Sequence, residues 1–309
     1  MPILTLTGAA GFIGARVAAR LAWEQPDRPL RLIAHRRPVT APPDGARTQI
    51  RTADLADPAS LRGVCDGADV LVHCASQIGG PPQLCRAVNA DGTAALVAEA
   101  IRAGVRRIVL LSTASVYGRG PFRGEHPGDL RPAPASDTSR TRADAERAVL
   151  DAGGVVLRPH LVYGAGDRWV GPGMLRLMTA LDGSVGGWQA RASMIDADDL
   201  ARAVAAVALA PDGTLTSSVY HANHPRPVPV ADVIAALAAA RGVPVPGARL
   251  THDEAVARLE RLGRSAHDLD VLAVDHCFAS DALWHDTGRP PGPGFPGRFP
   301  RHADWYASA

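Results

Sequence analysis

Residues Thr5 to Arg16 read T-L-T-G-A-A-G-F-I-G-A-R, and few backbones can accommodate that string. An apolar run (Ile3, Leu4, Leu6) meets three glycines, Gly8, Gly11 and Gly14, and an amphipathic segment follows without a gap. The pattern predicts a strand, a tight turn and a helix N-terminus. Glycines let the main chain turn sharply and let a pyrophosphate approach backbone N–H groups, where the helix dipole favours negative charge. Ile13, Val17 and Leu21 recur at i, i+4 and i+8, the spacing of a helix packed on a sheet. A glycine-rich turn without a ligand would carry the same three glycines, but the strand–turn–helix setting favours a dinucleotide. Gly8, Gly11, Phe12, Ile13 and Gly14 are therefore the candidate pyrophosphate turn.

A chain of 309 residues suffices for one large α/β domain with a smaller lobe. A net charge of +2 gives no electrostatic case for a nucleic acid or a membrane surface. No apolar run reaches the roughly 18 residues of a membrane span, and the first strand begins at once, so no signal peptide is expected. The four cysteines (Cys65, Cys74, Cys85, Cys277) lack C-x-x-C spacing. Reduced packing thiols in the cytoplasm, and no metal, are the expectation. All 33 basic residues are arginine; the chain contains no lysine, which excludes any chemistry that needs one.

Leu30 to Ala34 reads as the second strand and runs into A-H-R-R, Ala34 to Arg37. About twenty residues past the third glycine, where an acidic side chain would hold a ribose 2′-hydroxyl, stands Ala34. Arginine at this place suits a 2′-phosphate, so NADPH/NADP+ is expected, held by Arg36 and Arg37 with His35 behind them. A solvated basic turn is the plain alternative. Pro38 to Gly45 reads as a proline-rich loop, and Ile50 to Leu55 as the third strand. Asp54 at its end would meet the adenine or lie at the N-cap of the next helix, with Leu55 beside it. Asp69 to Cys74 is an apolar strand buried on both faces that ends at Ala75 and Ser76, small residues bordering the ribose. Gln77 opens a loop at that strand's carboxyl end, where open α/β sheets hold ligands. Val88 to Ala103 is helical, with Val97 and Ile101 expected to face inward.

Arg107 to Gly118 is a buried strand running into hydroxyl residues, R-I-V-L-L-S-T-A-S-V-Y-G. T-G-A-A-G-F-I-G (7–14), N-A-D-G-T (89–93), S-T-A-S-V-Y-G (112–118), L-R-P-H-L-V-Y-G (157–164) and I-D-A-D-D-L-A (195–201) occur in that order. Together they resemble an extended short-chain dehydrogenase/reductase of the NAD-dependent epimerase/dehydratase kind over almost the whole chain. That resemblance implies an α/β fold: a Rossmann-type parallel sheet with helices on both faces and a smaller, discontinuous substrate lobe. The dinucleotide-binding domain would comprise 1–163 and 191–222, and the lobe 164–190 and 223–309. Pro159 and His160 would lie beside the nicotinamide, and the tail ending in Trp305 and Tyr306 would dock on the lobe. Members pair through helices near 88–103 and 138–152; the second is heavily charged here, so monomer and homodimer both stay open.

This chain departs from the family at its chemical centre. The resemblance implies a Tyr-x-x-x-Lys pair, assisted by Ser or Thr, on the helix after the fifth strand. Those positions fall on Thr138, Arg142 and Thr113. A phenol near pKa 10 can be drawn toward neutrality by a shift of about 2–5 units, whereas an aliphatic hydroxyl closer to water at about 15.7 cannot. Thr138 can donate a hydrogen bond to a carbonyl but is a poor net acid; Arg142 supplies charge yet stays protonated. Ser115, Tyr117, Gln77 and Trp169 are candidate substrate contacts. Tyr117 is also the stand-in acid to consider, and His160 is either a proton donor or a structural histidine. The same Thr-x-x-x-Arg replacement resembles that of ketoreductases that tailor angucyclinones. The expectation is thus reduction of a large aromatic ketone in antibiotic biosynthesis, the proton coming from a neighbouring substrate hydroxyl. A sugar-nucleotide epimerase or dehydratase and a non-catalytic NADP-binding sensor or scaffold are the alternatives.

Overall fold

Strands that are apolar at nearly every position need cover on both faces, which a parallel sheet flanked by helices supplies. Seven strands, most of them of this kind, line up in the computed structural model, which describes residues 2–42, 47–264 and 269–308. They are β1 (Ile3–Thr7), β2 (Leu30–Ala34), β3 (Thr48–Thr52), β4 (Ala68–His73), β5 (Arg107–Leu111), β6 (Val155–Arg158) and β7 (Val219–His221). Residues 43–45 of the expected proline-rich loop lie outside the described residues. The spatial order is β7-β6-β5-β4-β1-β2-β3, with every pairing parallel. Thr7 pairs with Ile33 on one side and His73 on the other, so three strands end level where the strand order reverses. A doubly wound sheet opens a crevice there. Only β3, T-Q-I-R-T, is largely exposed, and its polar sequence suits an edge.

Each face of the sheet carries its own core. Helices α1 (Gly14–Glu24) and Ala197–Leu209 cover one face, burying Val17, Leu21, Val204 and Val207 against Leu4, Leu6 and Leu32. Leu283 and Trp284 from the tail helix Asp281–Thr287 join this core. That stretch, expected to belong with the lobe, packs on the large domain. On the other face α2 (Gly92–Arg102) and α3 (Asp137–Asp151) pack Leu96, Val97, Ala100 and Val149 against Leu71, Ile108 and Leu110. Ile101, expected to point inward, is 60% exposed. The buried stripe runs through Thr93, Leu96, Val97 and Ala100, and the residue after Ala100 lies about 100° further round the helix.

The lobe has a separate core of Met174, Leu177, Met178, Trp188, Met194, Ile234, Leu237, Phe299 and Tyr306. It is built on α4 (Val170–Leu181), the helix Val230–Arg241 and a four-stranded sheet. Asp167 ties the C-terminus to it. Its carboxylate accepts the N–H groups of Trp169 (2.8 Å), Val170 (2.9 Å) and Gly171 (2.7 Å), and the Tyr306 hydroxyl at 2.9 Å. The same hydroxyl accepts the Gly164 N–H at 3.0 Å. His302 adds a second tie: its Nε2 bonds Asp196 at 2.6 Å while Nδ1 accepts the Ala165 N–H at 3.2 Å. Tyr306→Phe leaves a buried carboxylate and a buried N–H each short of a partner. It should lower the unfolding free energy by about 1–3 kcal/mol in urea denaturation; an unchanged midpoint would contradict this docking.

Candidate active site

The glycine turn works by close approach. Gly8 has φ +75, and a Cβ there would lie 2.6 Å from Ala75 N; a Cβ on Gly14 would lie 2.1 Å from Gly8 O. No other residue fits either place. Helix α1 begins without a side-chain cap and with no acidic residue in its first turn, so no side chain competes with an anion at its N-terminus. Gly8, Gly11, Phe12, Ile13 and Gly14 all line a cleft of about 1600 Å³.

The same cleft brings together His35, Arg36, Arg37, Asp54, Leu55, Ala75, Ser76, Gln77, Thr113, Ser115, Thr138, Arg142, Pro159, His160 and Trp169. Arg36 and Arg37 are exposed and have no partner among the described residues. Asp54 pairs with His35 Nε2 at 3.0 Å and accepts the Ala56 N–H at 2.9 Å. It does not cap the following short helix: Asp57 does, by accepting the Ala59 N–H at 3.1 Å. These residues fit a dinucleotide, since a bare glycine cradle and unpaired cations sit along one groove. Nε of Arg142, buried at the groove's inner end, has no hydrogen-bond partner.

At that inner end α3 supplies Thr138 and Arg142, one turn apart. Thr138 Oγ1 accepts the Gly79 N–H at 3.1 Å, tying the loop after β4 to the helix. Arg142 donates to the Leu111 carbonyl. Burial lowers its pKa, and the nearby Glu146 opposes that shift. Thr113 Oγ1 accepts the Ser115 N–H at 3.1 Å and donates to Ser115 Oγ at 3.1 Å, so it caps a short helical turn while lining the cleft. Gln77 is held at both ends. Its N–H reaches Asn89 Oδ1 at 2.8 Å and its side chain reaches the Gly79 carbonyl at 2.9 Å.

Two residues considered as acids behave otherwise. Tyr117 does not line the cleft and is 4% exposed. Its oxygen accepts from Arg158 Nη1 at 2.5 Å and its proton goes to His221 Nε2 at 2.8 Å. Bonding of His221 Nδ1 to the Ala279 carbonyl at 3.0 Å sets that tautomer. Burial also raises the Tyr117 pKa, so it is no stand-in acid. His160 does line the cleft, its ring stacked on His276 with centroids 5.0 Å apart. Burial, with His276 beside it, holds the imidazole well below its usual pKa, so it is neutral and cannot act as an imidazolium acid. Cys74 also lines the cleft, but burial pushes its thiol up to about 12.

The buried chain behind these groups was not read from the sequence. Ser112 donates to Glu146, which is ion-paired with Arg158 at 2.5 Å; Arg158 continues to Tyr117 and His221. Its members come from segments far apart in sequence, so no local motif announces it. Arg168, Arg176 and Ile78 on the cleft wall were missed as well. Arg264 lies on this wall too; the rest of it is apolar, with Met174, Leu177 and Leu272, and Trp169 at its edge 62% exposed.

A parallel sheet whose order reverses at a glycine-lined crevice, beside a serine/threonine-rich strand end, is a doubly wound α/β architecture of the Rossmann type. Residues 4–222 match the NAD dependent epimerase/dehydratase family, and the chain belongs to it. It is 33% identical over 218 residues to 2-alkyl-3-oxoalkanoate reductase of Stenotrophomonas maltophilia, covering 63% of this chain and 63% of that protein. It is 30% identical over 251 residues to a 3 beta-hydroxysteroid dehydrogenase/Delta 5→4-isomerase of Mycobacterium tuberculosis, covering 72% and 65%. The chain spans from 39% to 65% of the length of such curated relatives. MoeE5 in complex with UDP-glucuronic acid and NAD superposes with a TM-score of 0.76 at 23% identity, covering 98% of each chain. No described helix is long and apolar enough to cross a membrane.

The buried imidazoles set an acid limit. Burial lowers His221 to about 4 and His73 to about 3 from the ordinary 6.5. Both are neutral in the folded protein at pH values where the unfolded chain would protonate them. Unfolding therefore takes up protons below about pH 6.5. The stabilisation is complete above that value and lost progressively as pH falls toward 4. Denaturation midpoints should drop between about pH 7.5 and 5, before most carboxylates titrate; a flat profile would contradict the buried neutral rings.

Proposed function

We propose that the protein is an NADPH-dependent ketoreductase that reduces a ketone of a polycyclic aromatic polyketide, of angucyclinone type, in antibiotic biosynthesis. One observation carries the reading: α3 presents Thr138 and Arg142 to the cleft, and no tyrosine lines it among the described residues. In this replacement the chain resembles the angucyclinone ketoreductase of the simocyclinone pathway. NADPH, when bound, supplies the hydride. Thr138 takes the Gly79 N–H on its lone pair, which leaves its own O–H to point at a carbonyl oxygen. Arg142 adds positive charge near that oxygen and a free Nε for a ribose hydroxyl. Neither releases a proton at neutral pH, and His160 is held neutral. The proton then comes from the substrate, through a phenolic hydroxyl hydrogen-bonded to the ketone.

The magnitudes allow it. General acid catalysis contributes about 10²–10⁴-fold, whereas orienting the reacting partners supplies about 7–11 kcal/mol. The apolar outer wall suits a polycyclic ligand, and the similarity to a hydroxysteroid enzyme points the same way. A sugar-nucleotide epimerase or dehydratase is the second reading, favoured by the fold shared with MoeE5. In this family it needs a tyrosine to take and return a proton, and no tyrosine lines the cleft among the described residues. A cofactor-binding sensor without catalysis is the third.

Two experiments decide among them. NADPH oxidation should follow addition of aromatic ketones bearing an adjacent free hydroxyl and should be absent with their methyl ethers. Turnover of both would require another proton source; NADPH binding without turnover on any ketone would favour the sensor. Separately, replacing Arg36 and Arg37 by serine should weaken NADPH about 10–100-fold, by loss of two charge-assisted contacts, and leave NADH within about threefold. Equal losses for both cofactors in a titration would remove the 2′-phosphate assignment.

A further inference from the structure

We propose that Arg168 and Arg176 form a subsite for an anionic group, carboxylate or phosphate, carried by the substrate away from its reacting carbon. The inference rests on reading the lobe side of the cleft as the substrate site. Both residues line the cleft on the lobe wall, and neither guanidinium has a hydrogen-bond or ion-pair partner among the described residues. Arg264 lines the same cleft beside them, and with 33 arginines to 31 carboxylates many arginines of the chain are nonetheless engaged. Arg158 holds Glu146, and Arg102 holds Glu99 and Asp66. Within the cleft Arg16 is taken by Asp198, and Arg142 by the Leu111 carbonyl. Asp54 is the one carboxylate among the described lining residues, and it is occupied by His35.

Position separates the pair from the cofactor's own charges. Arg36 and Arg37 follow β2, across the sheet, whereas Arg168 precedes α4 and Arg176 lies on it. A Cβ on Gly173 would lie 3.9 Å from an Arg176 guanidinium nitrogen, so that guanidinium lies across the bare helix surface that faces the cleft. Eight residues separate the two backbones, about 12 Å along a helix, a gap two arginine side chains can close from either end. Trp169 and Met174 lie between them. An apolar wall with an uncompensated cation at each end recognises a flat molecule with an acidic appendage. The same cations would take the pyrophosphate of a sugar nucleotide.

The test titrates the NADP+-loaded protein with anthraquinone-2-carboxylate, its methyl ester and UDP-glucose, in the native chain and in R168Q/R176Q. The carboxylate should bind about tenfold or more tightly than the ester, the scale of a charge-assisted contact. That preference should vanish in the double variant, whose unchanged NADP+ affinity certifies its fold. Equal binding of acid and ester, or a preference that survives the substitutions, overturns the subsite and leaves the ketone reading standing. Binding of UDP-glucose alone, with the same arginine dependence, retains the anion subsite and overturns the ketone reading. Failure of all three probes to bind overturns the subsite.

Discussion

A single buried ion pair holds the chemical end of the cleft together. Glu146 on α3 and Arg158 at the end of β6 have side chains only 2% and 6% exposed, and Arg158 Nε bonds both carboxylate oxygens at 3.1 and 3.2 Å. Ser112 donates to the same carboxylate from the end of β5, and Tyr117 links Arg158 to His221 on β7. Three neighbouring strands and one helix are thereby fixed at one level. The dependence is physical: leaving one member of such a pair unpartnered in the interior costs about 3–5 kcal/mol, more than most single contacts contribute. Pro159 and His160 follow Arg158 directly, and Thr138 and Arg142 lie two turns and one turn before Glu146. What the cleft presents is set by a network that reaches it only at Ser112.

Charge is divided between these layers. In the inner layer each charge has a partner and the histidines are neutral, His221 at about 4 and His160 well below its usual value. In the cleft, guanidinium groups outnumber carboxylates, and several lack partners until a ligand arrives. With no lysine in the chain, the permanent cations there are guanidinium groups, which do not release a proton near neutrality. Such groups are suited to orienting anions rather than to transferring protons.

The sequence was most legible where the constraint is local. Glycine at positive φ, and the contact of Gly14 with Gly8, can be read from spacing because no other residue fits. The apolar strands β1, β2, β4 and β5 were legible for the same reason, since burial on both faces leaves no room for polar alternation; β6 and β7 were not read as strands, and the third strand, expected at Ile50–Leu55, runs from Thr48 to Thr52. Tyr117 was not. It stands two residues from Ser115, but in the short helical turn Ala114–Tyr117 Ser115 reaches the cleft while Val116 and Tyr117 turn into the core. Ile101 fails similarly, by about 100° of helix rotation. Glu146 and Arg158 are 12 residues apart, and Tyr117 and His221 are 104 apart. Spacing says nothing of such partners until the sheet order is known. Arg168 and Arg176 were not singled out, because the absence of a neighbour leaves no mark on spacing.

A threonine at position 138 shapes the cleft as well as lining it. Thr138 carries its oxygen on Cβ, close to the helix, where it accepts the Gly79 N–H at 3.1 Å. A tyrosine would carry its oxygen across a ring, leaving that N–H without this acceptor. Cys85 makes the companion contact, its thiol 3.3 Å from the Gly79 carbonyl. Asn89 closes the loop's other end by exchanging two hydrogen bonds with the Gln77 backbone at 2.8 and 2.9 Å, and its amide reaches Thr141 on α3 at 3.1 Å. The loop is thus fastened to α3 through residues one helical turn apart. The hydroxyl that lines the cleft also holds the wall beside it. Polarity and shape at this position are coupled through one oxygen atom, so a phenol there would remove the latch that shapes the cleft around it.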